Sequence, residues 1–112
     1  MKIKEVIVSS FAKEDLREIV SFFQSLSASY VKKTIEEFEE NILSLKQFPL
    51  SGRIVPELER QGIENYRELI QGYYRIVYEI SNDVVNILSV IDGRRNFEDI
   101  IISKLSRIVR NL

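Results

Sequence analysis

The 112 residues include no cysteine, no histidine and no tryptophan. Without thiols there are no disulfides, no thiolate nucleophile and no cysteine-ligated zinc. Without imidazole the commonest general base and metal ligand are gone, so acid–base chemistry falls to Lys, Arg, Tyr, Glu or Asp. No metal and no cofactor is expected. No apolar run approaches the roughly 18 residues that a membrane span needs. The opening Met1-Lys2-Ile3-Lys4-Glu5 places an acid where a signal peptide begins its apolar stretch, and no small-residue cleavage pattern follows. A cytoplasmic protein with no membrane partner is expected. An excess of one charge is also missing, since 16 basic and 17 acidic residues leave a net charge of −1. Ribosome and RNA binders usually draw on a basic excess.

What is present suits a folded domain: 45% hydrophobic and 29% charged residues. The length allows one core, so residues 1–112 are read as a single domain. The cations are sorted by kind. Residues 1–50 carry six Lys and only Arg17, whereas eight of the nine basic residues after Ser51 are Arg. Arg presents a planar fork that matches phosphate and carboxylate, and Lys a solvated point charge.

Along the chain, the β-branched run Ile3 to Val8 reads as a strand. Ser9 or Ser10 then caps a helix whose first turns hold Glu14 and Asp15, favourable at the positive dipole end. Leu16, Ile19, Val20 and Phe23 recur at helical spacing. After Ser25-Leu26-Ser27 a second helix runs from about Ala28 to Gln47, with Val31, Ile35, Phe38, Ile42 and Leu45 on one face and Glu36, Glu37, Glu39 and Glu40 on the solvated one. So short a connection implies an antiparallel hairpin sharing one core face. Pro49 ends it, and Leu50-Ser51-Gly52-Arg53 reads as a turn. Residues 54–65 read as irregular or a short edge segment, because Pro56 cannot donate to a ladder. Three strands follow, Tyr66–Gln71, Tyr73–Ile80 and Val84–Ile91, broken by Gly72 and by Ser81-Asn82-Asp83. In the middle strand Tyr74, Ile76, Tyr78 and Ile80 share one face, and Tyr73, Arg75, Val77 and Glu79 the other. The first set suits a core and the second a ligand or solvent. From Phe97 a last helix carries Ile100, Ile101, Leu105, Ile108 and Leu112 on one stripe and is expected to dock back on the domain.

Ala12 with Asp15-Leu16, Pro49 with Gly52-Arg53, Tyr66-Arg67-Glu68-Leu69, Gly72, Tyr74-Arg75-Ile76-Val77-Tyr78 and Ile87-Leu88-Ser89-Val90 running into Gly93-Arg94-Arg95 stand in an order and spacing that resembles the RelE/ParE superfamily of toxins from type II toxin–antitoxin (plasmid stabilisation) systems. The resemblance covers roughly residues 3–100. It implies an α+β fold: an antiparallel two-helix hairpin on one face of a twisted, mainly antiparallel four-stranded sheet (β-α-α-β-β-β), with a C-terminal helix and a concave working surface on the other sheet face. It also implies a cognate antitoxin, with assembly as a homodimer or as a heterotetramer with the antitoxin.

Two activities are implied. A RelE-like toxin is a metal-independent, ribosome-dependent mRNA endoribonuclease, needing a base for the 2′-OH, cations for the phosphorane and an acid for the leaving oxygen. A ParE-like toxin inhibits DNA gyrase and is not an enzyme. The target- or phosphate-binding candidates are Arg53, Arg67, Arg75, Arg94 and Arg95, with Arg67, Arg75 and Arg94 as catalytic candidates. Glu57, Glu68 and Glu79 are the available carboxylate bases. Phe97 stands where RelE-like toxins often place a catalytic Tyr or His. The reading therefore leans to a ParE-like or catalytically degenerate toxin, with the RelE-like nuclease as the alternative and a non-toxic interaction domain of the same fold as the third. Arg75 has a bland reading as well: Glu68 on the neighbouring strand makes it structural.

Overall fold

The computed structural model describes residues 1–110. Its elements in chain order are β1 (Glu5–Val8), α1 (Ser10–Gln24), α2 (Ala28–Ser44), β2 (Arg53–Ile54), α3 (Pro56–Glu59), β3 (Arg67–Gln71), β4 (Tyr74–Ser81), β5 (Val84–Asp92) and α4 (Phe97–Arg110). Leu112, expected on the last helix stripe, lies outside the described residues. The sheet has five strands in the order β1-β5-β4-β3-β2, one more than expected. The extra strand is the edge segment after Gly52, where Arg53 pairs with Glu68 and Ile54 with Arg67 before Pro56 ends the ladder. β1 runs parallel to β5, and every other pairing is antiparallel.

Local chemistry sets the boundaries. Ser9 caps α1 by accepting from the Ala12 N–H at 3.1 Å, and Ser27 caps α2 through Tyr30 at 3.2 Å. The β4–β5 turn uses Asn82 and Asp83 at φ +52° and +62°, the left-handed pair that a two-residue hairpin requires. The main core lies between the α1–α2 hairpin and the sheet, where Ile76, Tyr78, Val85, Ile87 and Val90 meet Ala12, Phe38, Ile42 and Leu45. Tyr78 is fully buried, donates to the Pro49 carbonyl at 2.7 Å and accepts from the Gly52 N–H at 3.0 Å.

The opposite sheet face differs from expectation. It is not free of helices: α3 and α4 cover it, and Val55, Leu58, Val77, Ile91, Phe97 and Ile101 form a second core there. The reason is the stripe on α4, which sends Phe97 and Ile101 onto the sheet, so the C-terminal helix docks as expected but on the surface assigned to function.

Asp15 also departs from its expected role at a helix start. It is buried, its Oδ2 accepts from the Ser89 hydroxyl at 2.6 Å and the Val90 N–H at 3.0 Å, and its Oδ1 pairs with Lys104 of α4. The β1 pairing ends at Ile87, and Asp15 receives an N–H further along that edge of β5. One carboxylate thus ties α1, β5 and α4 together.

Candidate functional site

The sequence-predicted arginines fall into two groups joined by one side chain. Arg75, in the middle of the sheet, is 9% exposed. Its Nη1 and Nη2 donate to the two oxygens of Glu57 at 2.8 and 2.7 Å, while Nε and Nη2 donate to the two oxygens of Glu68 at 2.7 and 2.9 Å. Four of the five guanidinium N–H groups are thereby used. Its Cζ lies 3.4 Å from the Phe97 ring centroid. Burial alone lowers the Arg75 pKa, but the hydrogen bonds it donates to both glutamates outweigh that and hold the group above its ordinary value. The Arg75 hydrogen bonds in turn hold Glu57 below the usual 4.5.

Arg53 joins this cluster from β2, donating through Nε to Glu68 at 2.8 Å. Arg67 points to the other sheet face and donates to the Gly52 carbonyl at 2.7 Å, backing the turn. Arg94 and Arg95 lie in the β5–α4 loop, at the corner where the β3–β4 turn ends. Asp92 receives Arg94 through Nε at 3.1 Å and Nη2 at 2.8 Å, and the Arg94 Cζ sits 4.0 Å from the Tyr73 ring centroid. Those hydrogen bonds keep Asp92 below its ordinary pKa. Arg95 is exposed and makes no side-chain hydrogen bond or ion pair among the described residues.

The link between the groups is steric. A Cβ on Gly93 would lie 2.8 Å from Cδ and 3.1 Å from Cγ of Arg75, so the loop crosses the arginine stem only because residue 93 is glycine. Arg75 thus braces, from beneath, the loop that displays Arg94 and Arg95.

Acid–base groups are scarce in this arrangement. All four carboxylate oxygens of Glu57 and Glu68 accept from arginine. Glu79 lies further along β4, opposite Asn86. Burial holds the Tyr74 and Tyr78 hydroxyls above the ordinary value of 10.0, and both rings belong to the core, as their alternation with Ile76 predicts. No group of three or more acidic side chains is placed to hold a metal among the described residues. The site residues that the sequence does not single out are Asp15 and Lys104, whereas Tyr73 stands on the strand face that suits a ligand. Asp15 had a signal, because it stands three after Ala12 and four before Ile19 and so falls on the buried stripe.

Two concavities flank α1. A groove of about 500 Å³ opens between α1 and α2, lined by Ile19, Val20, Phe23, Val31, Ile35 and Leu43 among others. The stripe predicted for the hairpin core is therefore only half covered: Ala12, Phe38, Ile42 and Leu45 are buried, while the residues nearer the hairpin tip face this groove. A second, more polar cleft of about 360 Å³ lies between α1, the end of β5 and α4, and includes Phe22, Asp92, Arg94, Arg95 and Lys104.

Residues 6–97 match the profile of the ParE toxin of the type II toxin–antitoxin system parDE. The chain belongs to the ParE toxin family. Among solved structures it is similar to a chain of the chromosomal ParDE toxin–antitoxin system of P. aeruginosa, with 16% identity, a TM-score of 0.66, and coverage of 79% of this chain and 94% of that one. It is also similar to a chain of the toxin–antitoxin complex RelBE2 of Mycobacterium tuberculosis, with 22% identity, a TM-score of 0.55, and coverage of 82% and 93%. At these identities the likeness is one of fold. No curated protein matches the sequence. The ParE assignment makes this chain the toxin-type component of a type II module. Among the described residues no helix is long and apolar enough to cross a membrane.

The Glu57–Arg75 pair makes a pH prediction. A carboxylate held below its usual pKa contributes stability that is complete above 4.5 and is lost as the pH falls below that value. Acid should therefore lower the urea midpoint between about pH 5 and about pH 3. The Glu57→Gln variant should show a shallower fall; equal slopes would remove Glu57 from the account.

Proposed function

We propose that this chain is a ParE-like toxin that inhibits DNA gyrase by binding it, without catalysis, and acts in the cytoplasm until a cognate antitoxin neutralises it. The observation that carries the reading is the state of the arginines. An RNA-cleaving face needs free cations for phosphate and a free base. Here Arg75 gives four of its five N–H groups to Glu57 and Glu68, Arg53 is paired with Glu68, Arg94 is paired with Asp92, and the nearby carboxylates are spent on arginine. Arg53, Arg67 and Arg75 brace the fold in this reading, and Arg94 and Arg95 are the pair left to meet a target.

The α1–α2 groove supports the partner. An open apolar channel along two helices suits an amphipathic segment of another chain. We infer that the antitoxin occupies it, as a heterotetramer of two toxins and two antitoxins, and that the free groove accounts for the half-covered stripe.

Inducing the chain without its antitoxin is expected to arrest growth, with purified gyrase inhibited in supercoiling and translated mRNAs intact by primer extension. Codon-linked cleavage would replace this reading with the RelE-like nuclease, and normal growth at confirmed soluble expression would leave a non-toxic interaction domain. Placing a charge in the groove by Ile35→Asp is expected to weaken antitoxin binding by about 30-fold or more, the scale of a buried interface anchor. Calorimetry on the purified pair measures it, and unchanged affinity would move the antitoxin elsewhere.

A further inference from the structure

The corner made by the β3–β4 turn and the β5–α4 loop has a composition and a rigidity that the fold does not explain. Tyr73 is 64% exposed and Ile70 is 54% exposed, large apolar surfaces with no core to serve. Beside them Arg94 is fixed at five points. Its backbone N–H and its Nε donate to Asp92 Oδ1, Nη2 donates to Oδ2, the guanidinium stacks on Tyr73, and the preceding Gly93 N–H is tied to the Tyr73 carbonyl at 2.7 Å. Gly72, at φ +57°, makes the tight turn that brings Tyr73 under the arginine.

A solvated arginine gains little from such restraint, since an exposed ion pair contributes little stability. A binding arginine gains more, because side-chain freedom lost before association is not lost again during it. The donors left over show what the corner takes. Nη1 of Arg94 and the whole fork of Arg95 have no protein hydrogen-bond acceptor among the described residues, although Arg95 acts on Asp92 through its charge. Both stand next to the cleft in which Phe22 and Ile100 supply apolar walls.

We propose that Tyr73, with Arg94 stacked on it, is a preformed contact point for a carboxylate-bearing protein surface of the toxin's target, separate from the α1–α2 groove. The charge pattern selects protein over nucleic acid. Asp92 already neutralises Arg94, and Glu18 lines the same cleft, so a row of phosphates would meet repulsion where a single carboxylate meets two forks. Tyr and Arg are the residues that dominate protein–protein contacts when held in place, and an aliphatic neighbour such as Ile70 helps exclude water around them. Tyr73 is a positioning residue for Arg94 and a contact in its own right.

This proposal rests on the gyrase-directed reading, and the test separates the two. Purified wild type, Tyr73→Ala, Tyr73→Phe and Arg94→Gln are titrated into a gyrase supercoiling assay, and each is titrated by calorimetry against the cognate antitoxin. Tyr73→Ala and Arg94→Gln are expected to raise the inhibitory concentration by about tenfold or more while antitoxin affinity stays within about threefold, the mark of a contact outside the antitoxin interface. Tyr73→Phe keeps the ring beneath Arg94 and is expected to lose less than Tyr73→Ala. Equal inhibition by wild type and both disruptive variants would overturn the corner. So would a parallel loss of antitoxin affinity, which would assign the corner to the antitoxin. If wild type leaves gyrase untouched yet arrests growth, the gyrase reading falls and growth arrest becomes the readout for the same variants. A wild type that does neither overturns both.

Discussion

Arg75→Ala is expected to cost about 3–5 kcal/mol of folding stability, the range for removing one partner of a buried charge pair. The size follows from what stays behind. The Glu68 side chain has no solvent exposure, and after the change its only cation is Arg53, whose own side chain is 58% exposed. Glu57 loses both of its Arg75 hydrogen bonds, and the Phe97 ring loses the guanidinium stacked on it. A cavity also opens beneath Gly93, at the base of the loop that shows Arg94 and Arg95. Urea unfolding followed by circular dichroism measures the cost, and a loss below about 1 kcal/mol would show that the pair is weaker than burial of this kind implies. Replacing Arg75, Glu57 and Glu68 together by apolar residues of similar volume should cost much less, because no charge is stranded. The practical consequence concerns toxicity assays. Loss of growth arrest in an Arg75 variant reports unfolding unless soluble, folded protein is demonstrated, whereas Arg94 and Tyr73 stand at the surface where the two effects separate.

Gly52→Ala should be the next most damaging single change, at about 1–3 kcal/mol for overpacking in a buried site. The added methyl would stand 2.5 Å from the Tyr78 hydroxyl oxygen, 2.6 Å from the Glu68 carbonyl oxygen and 2.8 Å from Tyr78 Cε1. None of these atoms has easy relief. The Tyr78 ring is fully buried, and the carbonyl belongs to a strand paired on both sides. Gly52 also donates its N–H to Tyr78 and its carbonyl accepts from Arg67, so displacing it strains two further bonds. Tyr78→Phe in the same background removes the closest contact and should recover part of the loss. A double-mutant cycle in thermal unfolding tests this, and strict additivity would contradict a direct clash. Gly62 offers the contrast: its φ is +79°, but a Cβ there meets nothing within 4 Å. Any cost at Gly62 therefore comes from the backbone alone.

Much of this architecture was legible in the residues. Ser9 marks a helix start, Ser25-Leu26-Ser27 the turn between two helices, alternation divides Tyr74, Ile76 and Tyr78 from Arg75 and Val77, and the stripe on the last helix predicts that it docks. The function of the second sheet face was harder to see. Alternation shows that Arg75 and Val77 share a side, but not that this side is covered, since that depends on where Phe97 and Ile101 land after a loop. The same limit governs the arginines. Arg75 and Glu68 sit seven residues apart on neighbouring strands, so their pairing was open to inspection, whereas Glu57 comes from a four-residue helix in a stretch that reads as irregular. The stacking of Arg94 on Tyr73 joins two turns more than twenty residues apart, and no local pattern announces it. Asp15 differs because a carboxylate near a helix start has a sufficient local explanation, while its partners, Ser89, Val90 and Lys104, lie far along the chain.

The pairing of β1 with β5 has a consequence for when the protein comes into being. Ser9 hydrogen-bonds to Leu88 across 79 residues, and Asp15 reaches Lys104 across 89. Contacts of such separation close late, and chains emerge from the ribosome from the N-terminal end. Until the last strand and helix are made, β1 has no neighbour in the sheet and α1 has only α2 to pack on. The first elements of this fold to be made are thus the last to find their places in it.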